Sequence, residues 1–136
     1  MTDFEFTTPI EIRFADLDAY GHVNNALFFT YLETARIKFF QQHFGAFLDS
    51  HLMFLVVRAE CDYRLPIELN DRLLITVRVD QVRHSSFDFS YRMHDGAAKL
   101  FAQAKTVMVS YDPTLKKPVA IPPEIKQMFA QSLVSG

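Results

Sequence analysis

Between Ala26 and about His43, apolar residues return at every third or fourth position, at Phe28, Leu32, Ala35 and Phe39. No Gly or Pro interrupts the run, and the spacing predicts one long helix. Leu27, Phe29, Tyr31, Ile37 and Phe40 widen the apolar stripe until little polar surface remains. Such a helix is expected to be wrapped on most sides instead of lying on a surface. Gly45 supplies its C-terminal stop. Upstream, Ile10, Ile12 and Phe14 alternate with Glu11 and Arg13, which predicts a first strand over Pro9–Phe14. After Gly45 the period falls to two. Val57, Ala59, Cys61 and Tyr63 alternate with Arg58, Glu60, Asp62 and Arg64, and Leu73, Ile75, Val77 and Val79 with Leu74, Thr76, Arg78 and Asp80. Phe87, Phe89, Tyr91 and Met93 alternate with Asp88, Ser90 and Arg92, and a last long strand is predicted over Lys99–Tyr111. Turn residues fill the breaks: Pro66 to Asp71, Arg83-His84-Ser85, and Asp95-Gly96. Pro122-Pro123-Glu124 opens a short C-terminal helix to about Leu133, since proline suits a first helical turn.

Consecutive strands with short connections favour an antiparallel sheet. The pattern therefore predicts an α+β fold, a sheet of about five strands wrapped around one long central helix. One helix cannot cover both faces and every edge of such a sheet, so a homodimer or larger assembly is expected.

Composition narrows the picture further. The 136 residues fit a single domain over 1–136 able to bury a core. Hydrophobic residues make up 49%, and the 14 phenylalanines without a tryptophan give a globular, not a disordered, composition. A net charge of −2 and a pI near 6.2 imply no general attraction to nucleic acid or an acidic membrane. Cys61 stands alone, so no internal disulfide can form, which agrees with a reducing, cytoplasmic location. Met1 to Thr8 carries Asp3 and Glu5 and no basic leader pattern, and no apolar run reaches membrane-spanning length.

The candidate chemistry is concentrated in Arg13-Phe14-Ala15-Asp16-Leu17-Asp18-Ala19-Tyr20-Gly21-His22-Val23-Asn24-Asn25. Two aspartates, a glycine turn and a histidine lead straight into the predicted helix start. Asparagine is a preferred helix N-cap. A carboxylate, a histidine and the positive end of a helix are thus brought together, a setting suited to chemistry on a carbonyl whose oxygen gains negative charge.

Asp16-Leu17-Asp18-Ala19-Tyr20-Gly21-His22-Val23-Asn24-Asn25, followed by Tyr31-Leu32-Glu33-Thr34-Ala35-Arg36, resembles hotdog-fold acyl-CoA thioesterases of the 4-hydroxybenzoyl-CoA thioesterase type. Within them the resemblance is to the bacterial long-chain acyl-CoA thioesterases with a His-Val-Asn-Asn turn. It continues through Tyr63-Arg64-Leu65-Pro66, Asn70-Asp71, Ser85-Ser86-Phe87, Pro118 and Pro122, nearly the whole chain. The resemblance implies a catalytic carboxylate at Asp18 and a backbone N–H at Asn25 that polarises the thioester carbonyl. It implies a homodimer, often paired into a homotetramer, with the acyl site at the subunit interface. It places pantetheine and nucleotide along Arg83-His84-Ser85-Ser86, and expects no metal and no cofactor beyond the coenzyme A of the substrate.

Each of these residues also has a plainer reading. Asp18 alone reads as a turn-capping aspartate. With the resemblance it becomes the nucleophile or general base. Asp16, one alternation away, is given a structural pairing with Arg13. His22 either orients water or the carboxylate, or holds the turn. Glu33 either pairs with Arg36 three residues on or faces the acyl pocket. Arg83 and His84 either hold phosphates or are ordinary hairpin charges, and the cluster is thinner than in some members, which leaves acyl-carrier protein as an alternative donor. Cys61 reads as core. Against hydrolysis of acyl-CoA thioesters stand two other classes, a non-catalytic acyl-CoA binding module and a structural interaction protein.

Overall fold

The computed structural model describes residues 5–43 and 51–135, with side chains as far as residue 129. The strands are β1 (Glu5–Ile10), β2 (Met53–Tyr63), β3 (Leu73–Val82), β4 (Ser86–His94), β5 (Leu100–Asp112) and β6 (Lys117–Pro118). The helices are α1 (Asn25–His43) and α2 (Pro123–Ser135), and a short 3-10 turn spans Phe14–Asp16. The strands form one antiparallel sheet in the order β1-β3-β4-β5-β2, with β6 against β5. α1 joins β1 to β2, which lie at opposite edges, so the helix must cross the sheet. The sheet curls around it, and this is the hotdog arrangement.

Register explains the core. Val77 pairs with Tyr91 and Val79 with Phe89, while Phe89 pairs with Thr106 and Phe87 with Met108. Paired residues share a face, so these side chains all point toward α1. From the helix, Phe28, Tyr31, Leu32, Ala35 and Phe39 are buried against them. Phe39 meets Phe89 edge-on at 5.0 Å, and Phe87 meets both Phe89 at 4.9 Å and Phe129 of α2 at 5.3 Å. Aromatic pairs prefer such edge-to-face geometry, which orders a core this rich in phenylalanine. The outer face is polar instead. There Thr7, Thr76 and His94 form a chain of hydrogen bonds, each 2.8 Å long.

Several expectations need correction. The first strand lies earlier, over Glu5–Ile10. Arg13 and Asp16 close the 3-10 turn after it, leaving Phe14 79% exposed, off any core face. In β2, a bulge between Val56 and Arg58 displaces Val57, so Val56 takes the helix-facing place before Ala59, Cys61 and Tyr63. Strict alternation cannot reveal a bulge, which inserts one unpaired residue. α1 is not wrapped on most sides in the single chain: Phe29 and Ile37 are exposed along one flank. The two-residue β6 went unpredicted, and α2 begins at Pro123 and ends at Ser135. The expected stop at Gly45 lies outside the described residues. Among those residues no helix is long and apolar enough to cross a membrane.

Candidate active site

The site begins with a turn closed by its own backbone. Leu17 forms an antiparallel bridge with Val23. Inside that bridge, Asp18 N–H donates to the His22 carbonyl at 2.7 Å and Gly21 N–H to the Asp18 carbonyl at 3.0 Å. Gly21 sits at φ +79°, a left-handed conformation that costs other residues strain. The turn is anchored from outside by Val23 N–H, which donates to the Ile67 carbonyl at 2.8 Å.

The two aspartates have different roles. Asp16 is 2% exposed. It accepts from the Tyr31 hydroxyl at 2.7 Å, from Arg13 N–H at 3.1 Å, and from the Arg13 guanidinium at 3.0 Å. Burial alone would raise its pKa, but these hydrogen bonds outweigh burial and hold the carboxyl below its ordinary value. Burial and the same carboxylate push the Tyr31 hydroxyl upward. Asp16 is thus a structural post, paired with Arg13 as the sequence suggested. Asp18 is exposed. Only its Oδ1 is engaged, accepting from Tyr20 N–H at 2.9 Å and His22 N–H at 3.3 Å. Its Oδ2 has no hydrogen-bond partner among the described residues. His22 therefore meets Asp18 through its backbone amide.

The helix start is equally plain. Asn24 N–H donates to the Asp16 carbonyl at 3.0 Å, which ties the helix entry to the buried post. The Asn24 side-chain oxygen accepts from Ala26 N–H at 3.0 Å, and the Asn24 carbonyl from Leu27 N–H at 2.9 Å. Asn24 is the cap and Asn25 the first helical residue. First-turn N–H groups have no partner within the helix, and among the described residues none accepts from Asn25 N–H. Tyr63, packed edge-on against Phe28 at 4.9 Å, donates to the Asn25 carbonyl at 3.1 Å and fixes this end against β2. The structure thus assembles Asp18, His22 and Asn25 around one turn and helix tip.

The other predicted residues lie elsewhere. Glu33 and Arg36 line a groove of about 370 Å³ between α1 and the inner face of β2 and β5, with Phe29, Val56, Ala59 and Thr106. The Glu33–Arg36 ion pair, one of the readings the sequence left open for Glu33, is not formed. Arg36 instead donates to the Tyr91 hydroxyl at 3.4 Å. Arg83, His84 and Ser85 form the tight connection between β3 and β4, and Ser86 opens β4. His84 and Ser85 carbonyls accept from Ile121 and Ser110 N–H groups, both at 2.9 Å, so the tip is held rigidly. Arg83 donates to Ser86 Oγ at 2.9 Å and pairs with the buried carboxylate of Asp88, which Lys105 also approaches at 3.4 Å. That carboxyl is held low, because the Arg83 and Lys105 charges outweigh its burial. Cys61 is half-buried on the helix side of β2, and burial raises its thiol.

Sequence reasoning missed Tyr31, Tyr63, and the contacts of Tyr91 and Thr106. Period two places Tyr91 and Thr106 on inward faces, but which strands pair them is not written locally. Among the described residues no group of three or more His, Cys, Asp or Glu has the arrangement of a metal site.

A sheet wrapped on a helix whose capped tip receives an acidic turn defines a hotdog domain. The chain belongs to the thioesterase-like superfamily, whose family model matches residues 12–129. The long-chain acyl-CoA thioesterase FadM of Escherichia coli K12 is 30% identical over 127 residues, 91% of this chain and 96% of that one. The acyl-CoA thioester hydrolase YbgC of Escherichia coli O157:H7 is 29% identical over 129 residues, 93% and 96% of the two chains. Among solved structures, a thioesterase from Thermus thermophilus complexed with coenzyme A and Zn is 34% identical, with a TM-score of 0.78 over 89% of this chain and 94% of that chain. The probable thioesterase YbaW of Escherichia coli is 29% identical, with a TM-score of 0.82 over 93% and 98%.

Proposed function

We propose that this chain hydrolyses acyl-CoA thioesters to the free acid and CoA, within the long-chain, His-Val-Asn-Asn group of the family. The observation that carries the reading is the pair of unused atoms at one turn: Asp18 Oδ2, and Asn25 N–H at the helix start. The thioester carbonyl oxygen accepts from Asn25 N–H, aided by the positive end of α1. As general base, Asp18 takes a proton from water, whose oxygen bonds to the carbonyl carbon. The resulting oxyanion collapses, the C–S bond breaks, and the thiolate of CoA leaves and regains the proton. As nucleophile, Asp18 Oδ2 bonds to the carbonyl carbon, the C–S bond breaks and the CoA thiolate leaves; water then cleaves the anhydride to the free acid and the Asp18 carboxylate, and the proton released goes to the thiolate. A thiolate is a fair leaving group, so neither route draws on a metal or further cofactor. His22 supports the turn through its amide, and its imidazole is assigned to orienting water.

The acyl chain is assigned to the Glu33 groove. Pantetheine and nucleotide are assigned to the Arg83–Ser86 connection, with His84, Ser85 and Ser86 as contacts. Arg83 is already engaged by Asp88. That engagement leaves few free cations for nucleotide phosphates and favours, as second reading, acyl-carrier protein as the donor. The same acyl group assayed on both carriers separates the two. The test of the main reading is Asp18→Asn. Asparagine keeps the oxygen that Tyr20 and His22 N–H groups use but loses the charge. Thiol release should fall by roughly 10²–10⁴-fold with an unchanged circular dichroism spectrum. Near-parental turnover in that variant would refute the assignment.

A further inference from the structure

The groove beside α1 has apolar walls and a polar floor. Phe29, Val56 and Ala59 supply apolar surface. Beneath them Arg36 is half-buried, with Nη1 3.4 Å from the Tyr91 hydroxyl, which lies 2.6 Å from Thr106 Oγ1. Tyr91 and Thr106 are 2% and 1% exposed. A guanidinium can only donate. The Tyr91 oxygen therefore accepts from Arg36, and its hydrogen points to Thr106. The Thr106 hydrogen is left with the Met108 sulfur at 3.5 Å, a weak acceptor. Hydrogen-bond direction is thus set from the arginine end, both hydroxyl hydrogens are engaged, and the donors left to the groove are the remaining N–H groups of Arg36.

Arg36 is also underused. Among the described residues it has no carboxylate within ion-pair distance, and a single neutral hydroxyl accepts from it. A plain alkyl tail entering the groove would strip water from these donors and return nothing. An oxygen on the tail would accept from them. A tail ending in a carboxylate would meet the charge of Glu33, which lines the same groove. A neutral oxygen meets no such repulsion, and a hydroxyl can also donate to Glu33.

Position along the helix sets where that oxygen should be. At ~1.5 Å per residue, Arg36 lies roughly 16 Å along α1 from Asn25, and its side chain leans back toward the helix start. The distance left is roughly 10–16 Å, the reach of about eight to twelve carbons in an extended chain with bonds of ~1.5 Å. We propose that Arg36, seated on Tyr91 and Thr106, is a specificity-determining residue that selects long acyl groups carrying a neutral oxygen near the far end over plain alkyl groups of the same length.

This inference rests on the thioester-hydrolase reading, and the experiment separates the two. Dodecanoyl-CoA and decanoyl-CoA are compared with their ω-hydroxy counterparts in kcat/KM, for the full chain and for Arg36→Gln and Tyr91→Phe. The parent should favour at least one ω-hydroxy substrate about tenfold. In Arg36→Gln that ratio should fall to within about twofold of one, and in Tyr91→Phe it should fall partway. A parental ratio near one for both lengths overturns the proposal whatever the variants do. So does a ratio that survives in a folded Arg36→Gln. If no acyl-CoA is hydrolysed, the hydrolase reading fails by itself. Calorimetric binding of the matching non-hydrolysable thioether analogues then decides the selectivity alone, with the same ratios expected.

Discussion

At the scale of single residues, two aspartates two positions apart carry opposite physical assignments, and substitution should separate them. Asp16 is buried under four donors, three from Arg13 and one from Tyr31, and its loss strands the Tyr31 hydroxyl in the core. Leaving a buried group unsatisfied costs about 1–3 kcal/mol, so Asp16→Ala should lower unfolding free energy in urea by that amount, against well under 1 kcal/mol for Asp18→Asn. The sign of the pH effect follows from the same contacts. The Asp16 carboxyl is held below 3.8, its ordinary value, so the unfolded chain takes up its proton first as acid is added. The stabilisation is present above about pH 4 and is lost as pH falls through the lower native value. Asp88, held low by Arg83 and Lys105, adds a slope of the same sign. Asp16→Asn should therefore flatten the acid limb of the stability curve, measured by urea titration between about pH 2 and 5. An unchanged limb would show that Asp16 is not ionised in the native state. In the proposed reaction Asp18 acts through Oδ2, which has no hydrogen-bond partner among the described residues, and that is why the exposed carboxylate, not the buried one, is assigned the chemistry.

At the scale of elements, the helix tip and the hairpins make further predictions. Asn24→Ala removes the oxygen that Ala26 N–H uses, and should cost about 1 kcal/mol in chemical denaturation while loosening the position of Asn25 N–H. An exposed helix end would show no such loss if the cap were incidental. In the β4–β5 hairpin, His94 accepts from Gly96 N–H at 3.0 Å and sits 2.8 Å from Thr76 Oγ1. Gly96 N–H can only donate, so this histidine is neutral, its second nitrogen donating to Thr76. Burial and the neighbouring Arg92 lower its pKa below 6.5. The unfolded chain then binds the proton more readily, so stability should drop as pH falls below about 6.5 and recover above it. His94→Gln should blunt that drop in thermal melts across the same range. Elements such as α1, β3, β4 and β5 were legible in the sequence because a period of 3.6 or 2 is a local property of ten or so residues. The turn from Asp16 to Asn25 was legible for the same reason, since cap, glycine and carboxylate are neighbours in the chain. Displaced β1, the bulge at Val57 and the tiny β6 were not, because each is settled by which strand lies alongside. The partner of Arg36 was not legible on the same account: its helical neighbour Glu33 was visible in the sequence as one possible partner, whereas its actual partner Tyr91 lies fifty-five residues away.

At the scale of the whole molecule, the question is what covers the flank that α1 leaves open. β2 is an edge strand of 11 residues without proline, paired only with β5 among the described residues. Met53, Val56, Val57 and Tyr63 are exposed along it, and Phe29 and Ile37 are exposed on the helix beside it. An unprotected edge of that length, next to an apolar strip, is the kind of surface that recruits another chain. Two copies meeting edge to edge would extend the sheet, bury both strips and roof both grooves beside α1, so the homodimer expected from the sequence would complete the proposed site as well as the fold. Lysine on an exposed edge is a natural block to such pairing. Val57→Lys, at a residue 60% exposed in the bulge, should shift the molecule from dimer to monomer in sedimentation velocity at micromolar concentration and raise KM for long acyl groups. Leu115→Lys, 58% exposed in the turn before β6, changes a similar amount of apolar surface away from the edge and should leave the dimer intact. A parent that sediments as a monomer, or a Val57→Lys variant indistinguishable from Leu115→Lys, would mean that β2 is not the joining edge and that the groove is built by one chain alone.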